Sequence, residues 1–262
     1  MQEIIITTVV IGVIGLIIGI ALVAAGKKFY VAVDKKAIAV RECLPGNNCG
    51  ACGYAGCDAV AAAIAAGDAP ANACPVCSAD AVAKIGGIMG VEAEAAQRKT
   101  AQVKCSGDCE HTSAKCNYVG IEDCRAAALA GLNTGSCTFG CLGYGSCVKV
   151  CTYDAIHVVN GVAKVDTSKC VGCGMCAKAC PKGLIEVVRA DRTFVVQCSN
   201  KDRGPAVKKV CSAGCLGCGA CVKQCEHDAI HLEGNLAYID YDKCVGCGKC
   251  AEKCPAKNIV RQ

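Results

Sequence analysis

The sequence predicts an α+β protein built in series: a single N-terminal transmembrane helix, a small helical domain organised by cysteines, and two tandem (βαβ)2 modules. Three observations carry this. Ile4 to Ala25 contains no charged residue. Cys49, Cys52, Cys57 and Cys74 follow a C-x2-C-x4-C-x16-C pattern. Residues 137–180 and 211–254 align without a gap at an offset of 74, each copy carrying C-x2-C-x2-C-x3-C spacing.

The first segment, residues 1–26, reads as a membrane anchor. As a helix the charge-free run spans about 33 Å, enough for a hydrocarbon core of about 30 Å. Lys27, Lys28, Lys35 and Lys36 follow it, whereas only Glu3 precedes it. That lysine excess puts the C-terminal side in the cytoplasm. A cleaved signal peptide would need a basic leading region and a shorter apolar stretch. In the cytoplasm thiols stay reduced, so the 28 cysteines point to metal ligation and away from disulfides. Trp is absent and aromatic residues make up 4% of the chain, so inorganic clusters must fill and cross-link the domains. The formal charge of +5 omits the negative charge that thiolate-bound clusters bring, and no nucleic-acid partner is inferred from it.

Residues 27–90 form the first cysteine domain. Cys49, Cys52 and Cys57 are interleaved with glycines that let the backbone curl around sulfur. Asp58 to Ala66 reads as a short helix ended by Gly67 and Pro70. Zinc also accepts four cysteines, but the second C-x2-C knuckle of a zinc ribbon is missing, which favours a [4Fe–4S] cluster. Residues 91–136 read as a linker, with Val91 to Gln102 solvated, followed by a polar cysteine-rich stretch. Its Cys105, Cys109, Cys116 and Cys124 could hold one more cubane. That assignment is not unique. Cys124 falls on Cys198 in the repeat and Cys137 on Cys211, so these two pairs could act together.

Residues 137–190 and 191–262 are two dicluster ferredoxin-like modules. Strands at Ile156–Val159 with Val162–Val165, and Ile230–Leu232 with Ala237–Ile239, bracket the turns Asn160-Gly161 and Gly234-Asn235. In C-x2-C-x2-C-x3-C runs, three thiolates hold one cluster and the fourth reaches the neighbouring cluster. Cys215, Cys218 and Cys221 therefore join Cys254, while Cys244, Cys247 and Cys250 join Cys225. In the first module Cys170, Cys173 and Cys176 join Cys151. The other site there is irregular, because Tyr144 stands where Cys218 stands in the second copy. Cys141, Cys147 and Cys180 then take Cys137 as fourth ligand, or hold a three-iron cluster or a non-standard ligand. The count of [4Fe–4S] clusters is about six, within a range of five to seven. Cys43, Cys77, Cys198 and Cys211 are left over in this scheme.

No G-x-G-x-x-G, Walker or Ser/His/Asp pattern is present, which speaks against nucleotide or flavin binding within this chain. The order of anchor, first motif and tandem modules resembles the B-subunit family of Rnf complexes. The phrase Leu44-Pro-Gly-Asn-Asn-Cys-Gly-Ala-Cys-Gly-Tyr-Ala-Gly-Cys57 carries the resemblance most specifically. The departures are Tyr144, Thr152 and Glu226, the last two standing where proline usually follows the fourth cysteine, and the extra Cys43 and Cys77. The resemblance implies a single-pass protein of the cell (inner) membrane with cytoplasmic cluster domains. It would take electrons from soluble ferredoxin and pass them to other subunits of an Na⁺- or H⁺-translocating ferredoxin:NAD⁺ oxidoreductase. NAD and flavin would sit on those partners. Two other classes stay open: a polyferredoxin arm of a hydrogenase or heterodisulfide-type membrane complex, and a zinc-binding adaptor.

Overall fold

The computed structural model describes residues 2–28, 34–94, 97–131 and 135–262. It opens with helix α1 (Gln2–Lys28), whose described side chains are Ile6 and 12–28. The single N-terminal transmembrane helix expected from the sequence is corrected here. Among the described residues no helix is long and apolar enough to cross a membrane. Lys27 and Lys28 close the helix. The remaining side chains of the expected span lie outside the described residues.

Three helices follow: α2 (Lys35–Cys43), α3 (Cys57–Ala66) and α4 (Ala79–Met89). Asp34 caps α2 by accepting from the Lys36 amide, and Ser78 caps α4 by accepting from Ala81. Gly67 ends α3 in the left-handed region. The helices pack through Val40, Val60, Ile64 and Ile85, with Cys57 and Cys74 in the same core. Burying each of these aliphatic side chains stabilises the fold by roughly 1.5–3 kcal/mol.

The rest alternates short strands and helices. The first set is β1 (Lys99–Val103), α5 (Cys124–Leu129), α6 (Ser146–Lys149), β2 (Ile156–Val159), β3 (Val162–Val165), α7 (Met175–Ala179) and β4 (Ile185–Arg189). The second is β5 (Phe194–Val196), α8 (Gly204–Val210), α9 (Ala220–Gln224), β6 (Ile230–Glu233), β7 (Leu236–Ile239), α10 (Lys249–Glu252) and β8 (Ile259–Arg261). The strands form four antiparallel pairs: β1 with β4, β2 with β3, β5 with β8, and β6 with β7. Positive φ at both Asn160 and Gly161 gives the tight β2–β3 turn the twist its strands need.

β1 occupies the end of the stretch expected to be a solvated linker. Thr100, Ala101, Gln102 and Val103 are buried, because pairing with β4 covers them. Residues 95–96 of that stretch, 29–33 and 132–134 lie outside the described residues.

The duplication has two offsets. Ile185 of β4 and Ile259 of β8 are 74 residues apart, but their partners Val103 and Val196 are separated by 93. An insertion between β1 and Cys137 accounts for the difference. It carries α5 and an isolated bridge from Ala114 to Gly135.

Candidate iron–sulfur sites

The first motif wraps the N-terminus of α3. Asn48 Oδ1 accepts from the Cys57 amide at 2.7 Å. Gly56, at φ 130°, leaves room for that carboxamide: a Cβ there would stand 3.2 Å from Asn48 Oδ1. Cys57 and Cys74 are buried, and Cys49 and Cys52 half-buried. The Cys77 thiol donates to Cys74 and holds it down at about 6. Cys77 itself is pushed far above the ordinary thiol range by the same bond, by burial, and by nearby Cys43 and Cys57. Both spare cysteines of this region therefore flank the first motif.

A seam joins this motif to the first module. Asn47 Nδ2 donates to the Tyr153 hydroxyl at 2.6 Å. Burial raises Tyr153, and Cys49, Cys173 and Cys74 lie near enough to add to the rise.

In the modules the thiols gather around cavities. Cys151, Cys170, Cys173 and Cys176 line one, and the Ala101 amide donates to Cys170 Sγ at 3.3 Å. Cys215, Cys218, Cys221 and Cys254 line a second. Cys225, Cys244 and Cys250 share one core, and Cys250 is raised by burial first, then by Cys244 and Cys247. A recurring local bond orients the last cysteine of a run. The amide four residues on donates to its sulfur, from Leu184 to Cys180, Ala229 to Cys225 and Asn258 to Cys254, at 3.3–3.5 Å.

The irregular site beside Tyr144 draws its fourth thiol from an unexpected place. Cys124, Cys141, Cys147 and Cys180 line one cavity. Cys124 stands at the start of α5, where Asp123 caps the helix. Its amide donates to Ser146 Oγ at 2.7 Å, and Ser146 Oγ donates to Asp123 Oδ2 at 2.7 Å. This tie fixes Cys124 beside Cys147. Tyr144 packs against Tyr118 in a tilted arrangement, with ring centroids 5.2 Å apart.

The expected quartet Cys105, Cys109, Cys116 and Cys124 is not brought together. Cys109 and Cys116 are exposed; the Cys109 amide donates to Asn160 O at 2.9 Å. Cys137 does not join Cys141, Cys147 and Cys180 as expected. With Cys105 it lines a neighbouring cavity that also holds Cys198 and Cys211 and shares Cys141 as a wall. Both differences come from the insertion. The offset of 74 set Cys124 opposite Cys198, whereas the strand register sets Cys105 opposite Cys198. A signal was available in Val103-Lys-Cys105-Ser and Val196-Gln-Cys198-Ser.

The chemistry of these donor sets suits iron–sulfur clusters. Burial pushes Cys147 up to about 12, and Cys105, Cys176 and Cys221 up to about 11, with neighbouring thiols adding to the rise. Such crowded thiols ionise together only when cations compensate them. Four of the thiol groupings line cavities of their own. Among the described residues no three His, Cys, Asp or Glu side chains converge closely enough for one metal ion.

Comparison with known proteins agrees. Residues 44–76 match the family described as "Putative Fe-S cluster", residues 163–186 the 4Fe-4S binding domain, and residues 214–258 the 4Fe-4S dicluster domain. The chain therefore binds several [4Fe–4S] clusters. It is 46% identical to the B-subunit of the Na⁺-translocating ferredoxin:NAD⁺ oxidoreductase complex of Acetobacterium woodii, over 89% of this chain and 71% of the relative. It is 40% identical to the B-subunit of the proton-translocating complex of Clostridium ljungdahlii, over 92% and 85%. With the B-subunit of the ion-translocating oxidoreductase complex of Methanosarcina acetivorans it shares 37% identity, over 94% of both chains. Likeness of this degree across almost the whole length means that the chain belongs to the B-subunit family of Rnf-type ion-translocating ferredoxin:NAD⁺ oxidoreductases.

Proposed function

We propose that the chain is the electron-input component of such a complex, taking electrons from soluble reduced ferredoxin and relaying them through serial clusters toward membrane-embedded partner subunits. The observation that carries this is the unbroken adjacency of the thiol sets. The first motif touches the first module through Asn47 and Tyr153, and the two thiol sets within each module share one core. A bound [4Fe–4S] cluster supplies one-electron chemistry at a potential set by its surroundings.

The chain's own residues do the rest. Cys49, Cys52, Cys57 and Cys74 hold the first cluster. Cys151, Cys170, Cys173 and Cys176, and Cys124, Cys141, Cys147 and Cys180, serve the first module. Cys215, Cys218, Cys221 and Cys254, and Cys225, Cys244, Cys247 and Cys250, serve the second. Amides aimed at Cys170, Cys180, Cys225 and Cys254 raise the potentials by stabilising the reduced, more negative state. We assign 27–90 to a first cluster domain and 137–190 and 191–262 to the two modules. The cluster-bearing part faces the cytoplasm, where ferredoxin and reduced thiols are found.

Anaerobically purified protein tests this reading. Reduced ferredoxin should bleach its broad visible absorbance within the mixing time of a turnover assay. A colourless, zinc-loaded chain, or a brown one that ferredoxin leaves oxidised, overturns it.

A further inference from the structure

We propose that Cys105, Cys137, Cys198 and Cys211 form a further [4Fe–4S] site at the junction of the two modules, linking them electrically. The inference rests on the iron–sulfur reading above, and adds a site that the ferredoxin runs do not contain. All four thiols line one cavity, and Cys141 of the neighbouring set forms part of its wall. Cys198 and Cys211 are 8% and 7% exposed.

The arrangement is two-fold. Cys105 stands two residues beyond β1, and Cys198 two residues beyond β5. The intervening residues make matching bonds: the Lys104 amide donates to Leu184 O at 2.8 Å and the Gln197 amide to Asn258 O at 3.0 Å. Each sulfur then accepts from the amide of the cysteine four residues after Cys137 or Cys211. The Cys141 amide donates to Cys105 Sγ at 3.4 Å and the Cys215 amide to Cys198 Sγ at 3.3 Å. The second pair sits in matching C-x-x-G-C turns, closed by Gly140 donating to Cys137 O at 3.1 Å and Gly214 to Cys211 O at 3.4 Å. Cys105 with Cys137, and Cys198 with Cys211, thus come from equivalent places around β1 and β5.

The surroundings are shaped for sulfur. Asn200 is 2% exposed, and it directs its backbone amide at Cys198 Sγ (3.4 Å) and its side-chain amide at Cys137 Sγ (3.5 Å). A buried carboxamide seldom gives its donor to a neutral thiol, a poor acceptor; a cluster thiolate is a much better one. Gly107 leaves a bare cradle: a Cβ there would stand 3.3 Å from Cys211 Sγ and 3.7 Å from Cys105 Sγ. Position gives the site its role. Cys141 belongs to the Cys124 set and Cys215 to the Cys218 set, and the backbone amide of each hydrogen-bonds a junction thiol. An electron leaving one module reaches the other through this point.

The test compares full-length chains purified without oxygen. The double variant Cys198→Ala with Cys211→Ala should lose about four irons and four sulfides per chain. One component of the reduced EPR spectrum should vanish while the others keep their line shapes. Cys109→Ser with Cys116→Ser should leave iron content and spectrum unchanged. Unchanged iron in the first double variant, or loss in the second, overturns the proposal. Alkylation of the wild-type protein covers the case of a variant that does not fold. Iodoacetamide should label Cys109 and Cys116 at once, and Cys105, Cys137, Cys198 and Cys211 only after the iron is chelated; early labelling of the junction four refutes the site. Wild-type protein devoid of iron would instead defeat the broader iron–sulfur reading, so the two failures are distinguishable.

Discussion

Tyr144 and Cys124 show how a single position can be vacated and replaced from elsewhere in the chain. The phenol packs at a tilt against Tyr118, and the missing thiol arrives on α5, locked by Ser146 and Asp123. Cys124→Ala should therefore cost about four irons per chain, read by iron assay and visible absorbance. Adding Tyr144→Cys to that variant should restore most of them, because the equivalent Cys218 lines the matching cavity. Failure of the second change to rescue would mean that the loop around Tyr144 cannot turn a thiol inward. Asp123→Ala removes both the cap and the Ser146 contact, and should lower stability by about 1–2 kcal/mol in chemical denaturation of the holoprotein.

At the level of elements, the tight approaches between cysteine loops and strands are the points most sensitive to substitution. Gly172 has φ +66°, and a Cβ there would stand 2.7 Å from the backbone C and O of Lys99 in β1. Gly246, its repeat equivalent at φ +71°, would meet the Thr193 side chain at 2.8 Å, which can rotate away. Gly172→Ala should thus destabilise by about 2–4 kcal/mol and Gly246→Ala by about half as much. Denaturation midpoints of the two holoproteins give the comparison, and equal losses would contradict it. The hairpins were legible because Asn160-Gly161 and Gly234-Asn235 announce their turns locally. β1 was not. Lys99-Thr-Ala-Gln-Val has no alternation of large apolar residues, and its burial comes from β4, far along the chain. The same blind spot hid the thiol groupings. Spacing within a run identifies ligands that neighbours in sequence supply, whereas Cys105, Cys124 and Cys137 meet their companions only through strand register and an inserted helix.

For the whole molecule, contact between the first motif and the modules decides whether electrons can pass along it. Asn47 and Tyr153 make the hydrogen bond at that seam. Tyr153→Phe deletes the acceptor and should loosen the seam while preserving ring packing. Stopped-flow reduction by ferredoxin should then show slower filling of one cluster pool at unchanged total iron; identical traces would rule the seam out as a limiting contact. Cluster removal by chelation should unfold most of residues 137–262, seen as loss of circular dichroism, since so few large apolar side chains hold the modules together.

The lead strands of the two modules are also stitched directly to one another. Gln102 Nε2 donates to Val196 O, Ser106 Oγ to Gln197 Oε1, and Ser199 Oγ to Lys104 O. During synthesis the earlier half leaves the ribosome long before these companions exist. It must wait, with reactive sulfur uncovered, until the later half is made. A centre held by thiols from both halves would consequently be completed only after the later half is made.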